Sequence, residues 1–470
     1  MKIEQIYTGC LAQGAYYLVS DNEAVIIDPL RESEPYMRRA KEDNVRIKFI
    51  LETHFHADFV SGHIDLAKKT GATIVFGPTA NPLYPVYKAK DGEIIKFGKL
   101  SIKVLHTPGH TMESTCYLLF DETGKETALF SGDTLFIGDV GRPDLAQKAN
   151  SITQEDLARH LFHSLRSKIL TLPDDVIIYP AHGAGSACGK NMSKETFDLL
   201  GNQKKTNYAL REDMTEREFI TEVTDGLLPP PGYFGMNVAM NIKGYDEYDS
   251  ILKRGLNALS IQTFETILND SDDIVVLDTR NASDFAKGFI PRCISIGLEG
   301  QFAPWVGTLI PDVKQKIVVV TEIGKEEETI RRLSRVGYDN VLGYLEGGIE
   351  KWIAAGKKID SIERISAEEL KKEMNNNTTI IDVRKPGEYG AEHIEGVPNV
   401  PLDFINKQMN EFPKNDPFIL HCAGGYRSII AASILKSRGY DKVKDVIGGF
   451  SAIAKTNIKR TTIVCSSTQK

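Results

Sequence analysis

The chain has 470 residues, 41% hydrophobic and 26% charged, which is globular material for two to four domains of roughly 100–200 residues each. Its formal net charge of −7, with Lys and Arg scattered among Asp and Glu, argues against a nucleic-acid partner. The opening Met1-Lys2-Ile3-Glu4-Gln5-Ile6 has no apolar leader core, and no later apolar run approaches the ~20 residues that cross a bilayer, so a cytoplasmic protein is expected. Cysteines stand at 10, 116, 188, 293, 422 and 465 without a CxxC pair, which suits reduced thiols rather than a disulfide framework or a structural zinc site.

From Met1 to about Tyr208, apolar runs at Ala24 to Ile27, Ile47 to Leu51, Leu100 to Leu105, Ala128 to Phe130 and Val176 to Tyr179 alternate with polar or Gly-containing turns and read as strands. Ligand-type residues follow these strands. Thr53-His54-Phe55-His56-Ala57-Asp58-Phe59 comes after one, and Thr107-Pro108-Gly109-His110, Ser131-Gly132-Asp133 and Pro180-Ala181-His182 come after or end three others. In an α/β sheet such ends collect in one crevice, where imidazoles and a carboxylate can surround a borderline metal. Any single histidine near a turn is more often solvated or bonded to backbone; the composite of HxHxD with His110, Asp133 and His182 is what points to a metal.

Cys188 lies six residues past His182 in Gly183-Ala184-Gly185-Ser186-Ala187-Cys188-Gly189-Lys190, so its loop should reach the same crevice. A lone Cys in a Gly-rich turn is ordinarily inert, although Lys190 nearby favours reactivity. Arg142, in Gly138-Asp139-Val140-Gly141-Arg142-Pro143-Asp144, could hold an anionic substrate; its bland reading is a turn arginine paired with Asp144. The Pro-rich stretch Leu227 to Gly235 cannot continue a helix or a central strand and reads as the connector leaving a first domain of 1–240.

Beyond it the chain repeats itself. Leu259 to Arg280 and Ile365 to Arg384 each pass from an amphipathic helix into an apolar strand ending Asp-x-Arg, and each copy later shows Gly-Tyr and then Gly-Gly before an aromatic residue. Two α/β domains of about 100 residues follow, at 256–357 and 363–457. In the second, the strand Pro417 to His421 runs into Cys422-Ala423-Gly424-Gly425-Tyr426-Arg427-Ser428 and then a helix, which places Cys422 where backbone N–H groups converge. That field and Arg427 favour a nucleophilic thiolate. In the first copy the equivalent strand meets Thr321-Glu322-Ile323-Gly324-Lys325-Glu326, without a cysteine and with acidic residues that repel anionic sulfur donors, so it should be catalytically inert.

The first motif set resembles the metallo-β-lactamase superfamily over about 1–240, within the glyoxalase II and persulfide dioxygenase branch. Two-metal hydrolases of that branch place a histidine after the aspartate of HxHxDH; here Phe59 stands there, while Asp58 and His182 remain for a weaker second site. A single metal on His54, His110 and Asp133 makes a two-His-one-carboxylate face suited to Fe(II) and dioxygen. Persulfide dioxygenases carry one iron on those matching positions, with zinc as a possible occupant of purified samples. His56, Asp58 and His182 then orient ligands or substrate. The stretch around Cys188 resembles that of dioxygenase–rhodanese fusions.

The loop at Cys422 resembles a rhodanese loop: Cys to Arg closes six residues, sized for sulfur, where cysteine phosphatases use five intervening residues. By resemblance, Cys422 and Arg427 are catalytic with Cys188, and Ala423, Gly424, Gly425 and Tyr426 hold substrate; Arg142 stays a weaker substrate-binding candidate on its turn context alone.

The expected fold is α/β, an αββα sandwich followed by two rhodanese-like domains. The expected activity is oxidation of glutathione, coenzyme A or similar persulfides by O2 to sulfite, with thiosulfate formed through a Cys422 persulfide, in a homo-oligomer without nucleic-acid or membrane partners. The alternatives are a glyoxalase II-type thioester hydrolase fused to rhodanese, which Phe59 opposes, and a metal-independent sulfur carrier working through Cys422 alone. Cys10, Cys116, Cys293 and Cys465 have only bland readings.

Overall fold

The computed structural model describes residues 1–146, 151–270, 273–374 and 378–461; Cys465 lies outside them. Two compact units result, Met1–Asp249 with Ser334–Gly337, and Ser250–Leu333 with Tyr338–Lys470. Among the described residues no helix is long and apolar enough to cross a membrane.

The first unit holds two six-stranded sheets. One runs in chain order through β1 (Lys2–Thr8), β2 (Gln13–Ser20), β3 (Glu23–Ile27), β4 (Arg46–Leu51), β5 (Thr73–Phe76) and β6 (Tyr87–Lys88). The other runs through β7 (Ile94–Phe97), β8 (Leu100–His106), β9 (Thr115–Phe120), β10 (Glu126–Gly132), β11 (Ile177–Pro180) and β12 (Asp198–Leu199). Period-two alternation assigns the faces. Tyr16 and Leu18 of β2 join Val25, Ile27, Val104, Tyr117, Leu119 and Phe130 in a core between the sheets. Ala15, Tyr17, Ala24 and Ile26 pack on the opposite face with Tyr36, Ala40 and Leu66 from two helices. Ala158 and Leu161 of the helix Gln154–Ser164 cover Leu105, Leu118 and Leu129 of the second sheet. The layers are therefore αββα, and strands buried on both faces read as the continuous apolar runs seen in the sequence.

β3, β4 and β5 are parallel, as are β10 and β11, so their C-terminal ends gather at sheet edges. The Pro-rich stretch ends at the helix Phe234–Lys243, and this helix still serves the first unit: Asn241 Nδ2 donates to the carbonyls of His56 at 2.8 Å and Phe59 at 2.9 Å.

The second unit contains two parallel sheets. The first copy comprises β13 (Ala258–Leu259), β14 (Ile274–Asp278), β15 (Ile294–Ser295), β16 (Lys316–Val320) and β17 (Val341–Leu345), in the order β13-β17-β16-β14-β15. The second comprises β18 (Glu363–Ile365), β19 (Thr379–Asp382), β20 (Phe418–His421) and β21 (Val443–Val446), in the order β18-β21-β20-β19. Matching registers place Asp278 beside Val320 and Asp382 beside His421, so Thr321 occupies in the first copy the place of Cys422 in the second.

Candidate metal centre and cysteine cradle

The metal ligands expected from sequence meet at the strand ends. His54 follows β4; its Nδ1 faces Thr53 Oγ1 at 3.0 Å, and Asp28, just past β3, accepts Thr53 N and Oγ1, each at 2.8 Å. His110 Nδ1 faces the Arg142 carbonyl at 2.9 Å. With both Nδ1 atoms engaged, the Nε2 atoms of His54 and His110 stand 3.8 and 3.4 Å from Asp133 Oδ2, a buried oxygen with no hydrogen-bond partner. Local backbone makes this convergence possible. A Cβ on Gly132, at φ 53°, would lie 2.7 Å from Thr53 side-chain atoms, and one on Gly109, at φ 152°, would lie 2.4 Å from Leu161 Cα.

Burial, with the neighbouring imidazoles of His56, His110 and His182, holds His54 well below the usual imidazole range and leaves its ring neutral. Burial pushes Asp133 upward, but His182, His54 and His110 together hold its carboxyl far below the ordinary range. Two imidazole nitrogens and a carboxylate oxygen within 4.8 Å of one another, the oxygen otherwise unsatisfied, fit a divalent transition metal.

His182 sits between two carboxylates, with Nδ1 2.8 Å from Asp133 Oδ1 and Nε2 2.8 Å from Asp58 Oδ2. His56 turns away from the His54–His110–Asp133 face: its Nε2 is 3.1 Å from Asp28 Oδ1 and 3.8 Å from Glu52 Oε2, and its ring stacks on Phe59 at 4.3 Å. Asp28 and Glu52 carry no motif in the sequence, and the only signal for Asp28 is its place one residue beyond an apolar strand.

Cys188 is buried with its sulfur among Asp58 and His182. Burial, followed by the charges of Asp133 and Asp58, pushes its thiol well above the usual range. Lys190 does not offset this, because its ammonium donates to the Glu222 and Asp225 carbonyls at 2.5 and 3.0 Å. Arg142 is also committed within the protein. Its Nε and Nη2 hold Asp144 at 2.6 Å each, Nη2 reaches Leu228 O at 2.6 Å, and Nη1 reaches Ala187 O at 3.2 Å.

In the second unit Cys422 lies at the end of β20, before the helix Tyr426–Ser437. Gly425 N donates to Cys422 Sγ at 3.1 Å and Ser428 Oγ donates to it at 3.4 Å. Ala423 and Gly424 form the outer rim of the loop, with Gly424 exposed. Arg427 turns both terminal nitrogens to Glu388, at 2.6 and 2.7 Å. The Tyr426 side chain leaves the cradle: its hydroxyl donates to Gly297 O of the first copy at 2.9 Å, and its ring lies where Cβ atoms on Gly297 and Gly300 would meet it at 3.6 and 3.5 Å. Sequence reasoning passed over Glu388, Ser428, Arg364 and Asp445. Cys116 and Cys293 are buried; burial raises the first thiol to about 11 and the second well above the usual range.

A metal-type His/Asp crevice on an αββα sandwich, joined to a cysteine-loop α/β pair, defines the class of protein. Comparison with known proteins agrees. The metallo-beta-lactamase superfamily model matches residues 9–182, and the rhodanese-like domain model matches 260–355 and 366–456. Over 165 residues the chain is 34% identical to a hydroxyacylglutathione hydrolase of Tolumonas auensis, covering 34% of this chain and 57% of that protein. Over 171 residues it is 34% identical to the mitochondrial persulfide dioxygenase ETHE1 of Homo sapiens, covering 35% of this chain and 62% of that one. The chain thus spans about three-fifths of the length of these curated relatives. A solved metallo-beta-lactamase from Staphylococcus aureus subsp. aureus COL is 32% identical with a TM-score of 0.66, covering 73% of this chain and 99% of that chain. The chain belongs to the metallo-β-lactamase superfamily and carries two rhodanese-like domains.

Proposed function

We propose that the chain is an iron-dependent persulfide dioxygenase coupled to a sulfurtransferase, divided into a dioxygenase domain at 1–240, an inert rhodanese-like domain at 256–357 and a working one at 363–457. The observation that carries this reading is Phe59. It is fully buried against His56 at the position where two-metal hydrolases of this branch keep a ligand. His182 and Asp58, the residues left for a second metal, are already paired with each other.

Bound on His54, His110 and Asp133, Fe(II) would supply dioxygen activation at a face with open positions. Thr53 and the Arg142 carbonyl fix the two imidazoles, and Asp28 fixes Thr53. The neutral Cys188 thiol beside Asp58 and His182 suits contact with a sulfur substrate rather than attack upon it.

The balanced oxidation is RSSH + O2 + H2O → RSH + SO3²⁻ + 2H⁺. At the second site the Cys422 thiolate takes the outer sulfur of a persulfide, RSSH + Cys–S⁻ → RSH + Cys–S–S⁻. Sulfite then removes it as thiosulfate and regenerates Cys–S⁻. The Gly425 N–H and the Ser428 hydroxyl hold the sulfur anion. The substrates proposed are glutathione, coenzyme A or similar persulfides, in a cytoplasmic homo-oligomer.

Relatives named hydroxyacylglutathione hydrolase favour thioester hydrolysis as the second reading. The deciding experiment is oxygen uptake by anaerobically purified, Fe(II)-loaded protein on adding glutathione persulfide, with metal content and sulfite measured on the same sample. Uptake that requires about one iron per chain sustains the proposal. Two bound metals with thioester hydrolysis and no uptake would replace it.

A further inference from the structure

The sulfur loop is held at its two ends by different parts of the second unit. Cys422 O accepts Phe450 N at 2.7 Å and Ala423 O accepts Ser451 N at 3.0 Å, so the second copy's own turn fixes the first half of the loop. Gly424 is exposed, and a Cβ there would meet nothing within 4 Å, while Gly425 stands at φ 100°. Two successive glycines leave this half the freer. Yet Gly425 N is the donor to Cys422 Sγ, at 3.1 Å. Tyr426 comes next, and its hydroxyl donates to Gly297 O of the first copy at 2.9 Å. The helix Tyr426–Ser437 is tied to that copy again two turns further on the same face, where Ser433 Oγ accepts Ser295 N at 2.9 Å.

We propose that the catalytically inert first copy sets the geometry of the sulfur cradle, with Tyr426 as the positioning residue that keeps Gly425 N–H on Cys422 Sγ. The anchor that Tyr426 grips is itself tied down. Ile296 N donates to Asp278 O and Leu298 N to Thr279 O, each at 3.0 Å, and Arg332 Nη1 donates to Leu298 O at 2.7 Å. A Cβ on Gly297 would lie 2.9 Å from Arg280 O, so this stretch packs directly on the Asp278-Thr279-Arg280 corner. Burial holds the Tyr426 hydroxyl well above its usual range, and it stays a donor. Gly425 is braced by the first copy a second time: a Cβ on it would lie 3.3 Å from Arg364 Nη2, and Arg364 Nη1 donates to Ser283 Oγ at 3.0 Å.

A sulfur anion is stabilised by backbone donors only where those donors are already aimed at it. Ordering a pair of glycines costs conformational entropy, and the contacts with the first copy meet that cost when the chain folds rather than when sulfur binds. The first copy has no cysteine on its own loop, so its Asp-x-Arg corner supports the neighbour's sulfur instead.

This role rests on the sulfurtransferase reading of Cys422, but its first test does not. The rate at which iodoacetamide alkylates Cys422 is followed across pH in the full-length chain, with Cys422→Ser as the blank. Tyr426→Phe keeps the ring and removes only the hydrogen bond to Gly297 O; the charged neighbours Arg427, Glu388, Arg364 and Asp445 and the neutral His421 are untouched. Its alkylation midpoint should rise by about one pH unit, a roughly tenfold loss of thiolate below the midpoint. Thiosulfate-to-cyanide transfer should lose about tenfold in kcat with KM within about twofold, less than the ~100-fold that deleting an anion-hole donor outright costs. Ser283→Ala, at an exposed position of the first copy, should move both readouts the same way by about threefold and decides the matter if Tyr426→Phe does not fold. A wild-type midpoint and kcat in folded Tyr426→Phe overturn the proposal. So does a raised KM with an unmoved midpoint, which would make the hydroxyl a donor-binding group. A shifted midpoint in a protein that transfers no sulfur would retain the positioning role and reject the proposed sulfurtransferase instead.

Discussion

Glu388 holds Arg427 by both terminal nitrogens, at 2.6 and 2.7 Å, so the cation nearest the sulfur loop is neutralised by a carboxylate from 39 residues earlier in the chain. An anionic donor entering the cradle must compete with that carboxylate. Glu388→Gln should therefore lower the KM for thiosulfate by about two- to fivefold, the size expected from a partly exposed ion pair of about 0.5–1 kcal/mol. Cyanide-dependent thiocyanate formation checks this, and an unchanged KM would mean that Arg427 does not face the donor.

Glu388 also illustrates what the sequence conceals. His54, His110, Asp133 and His182 were legible because each follows a strand, and parallel strands bring such ends together whatever their separation along the chain. Cys422 was legible because strand, glycine loop and helix are contiguous. Glu388, Asp445 and Asp28 hold Arg427, Arg364 and Thr53, which lie 39, 81 and 25 positions away, through side-chain contacts that only the packed sheets create. The fold class followed from strand runs and the internal repeat. The reading of Lys190 as an activator of Cys188 followed from sequence proximity, and the structure differs because helix-end carbonyls at Glu222 and Asp225 bind that ammonium first.

The two sites should separate by mutation. Asp133 supplies both a metal-facing oxygen and the acceptor for His182, so Asp133→Ala should lower metal content and reduce oxygen uptake by more than about 100-fold. Sulfur transfer at Cys422 should stay within about twofold, since it belongs to the other compact unit. Cys422→Ser should do the reverse. Loss of both activities in either folded variant would contradict independent sites.

Acid stability should depend on Glu23. This β3 carboxylate accepts Arg46 at 2.6 Å, Lys48 at 2.8 Å and the Gly98 backbone N at 2.9 Å. Burial pushes the carboxyl up, but these three donors prevail and bring it from its usual 4.5 down to about 2. A depressed folded-state value stabilises the protein above about pH 4.5 and loses that contribution as pH falls toward 2. Glu23→Gln should therefore unfold more readily than wild type near neutrality, with the gap closing as pH drops through that window. Denaturant midpoints measured along the pH series check the sign.

Phe59 offers the sharpest test of how one metal is selected over two. Its ring is fully buried and stacked on His56 at 4.3 Å, beside Asp58 and close to the His182 pair that bridges Asp58 and Asp133. An imidazole at position 59 would complete a second donor set with Asp58 and His182, and a metal there would displace the contact between those two side chains. Phe59→His should accordingly raise bound metal from about one to about two per chain when the apoprotein is loaded with zinc. The same variant should lose oxygen uptake and gain measurable hydrolysis of a glutathione thioester, because a bridged metal pair generates hydroxide and leaves fewer open positions. Metal analysis after loading decides the point. A stoichiometry that stays near one would show that Phe59 is not what excludes the second ion, and the explanation would move to the tight His182–Asp58 pair.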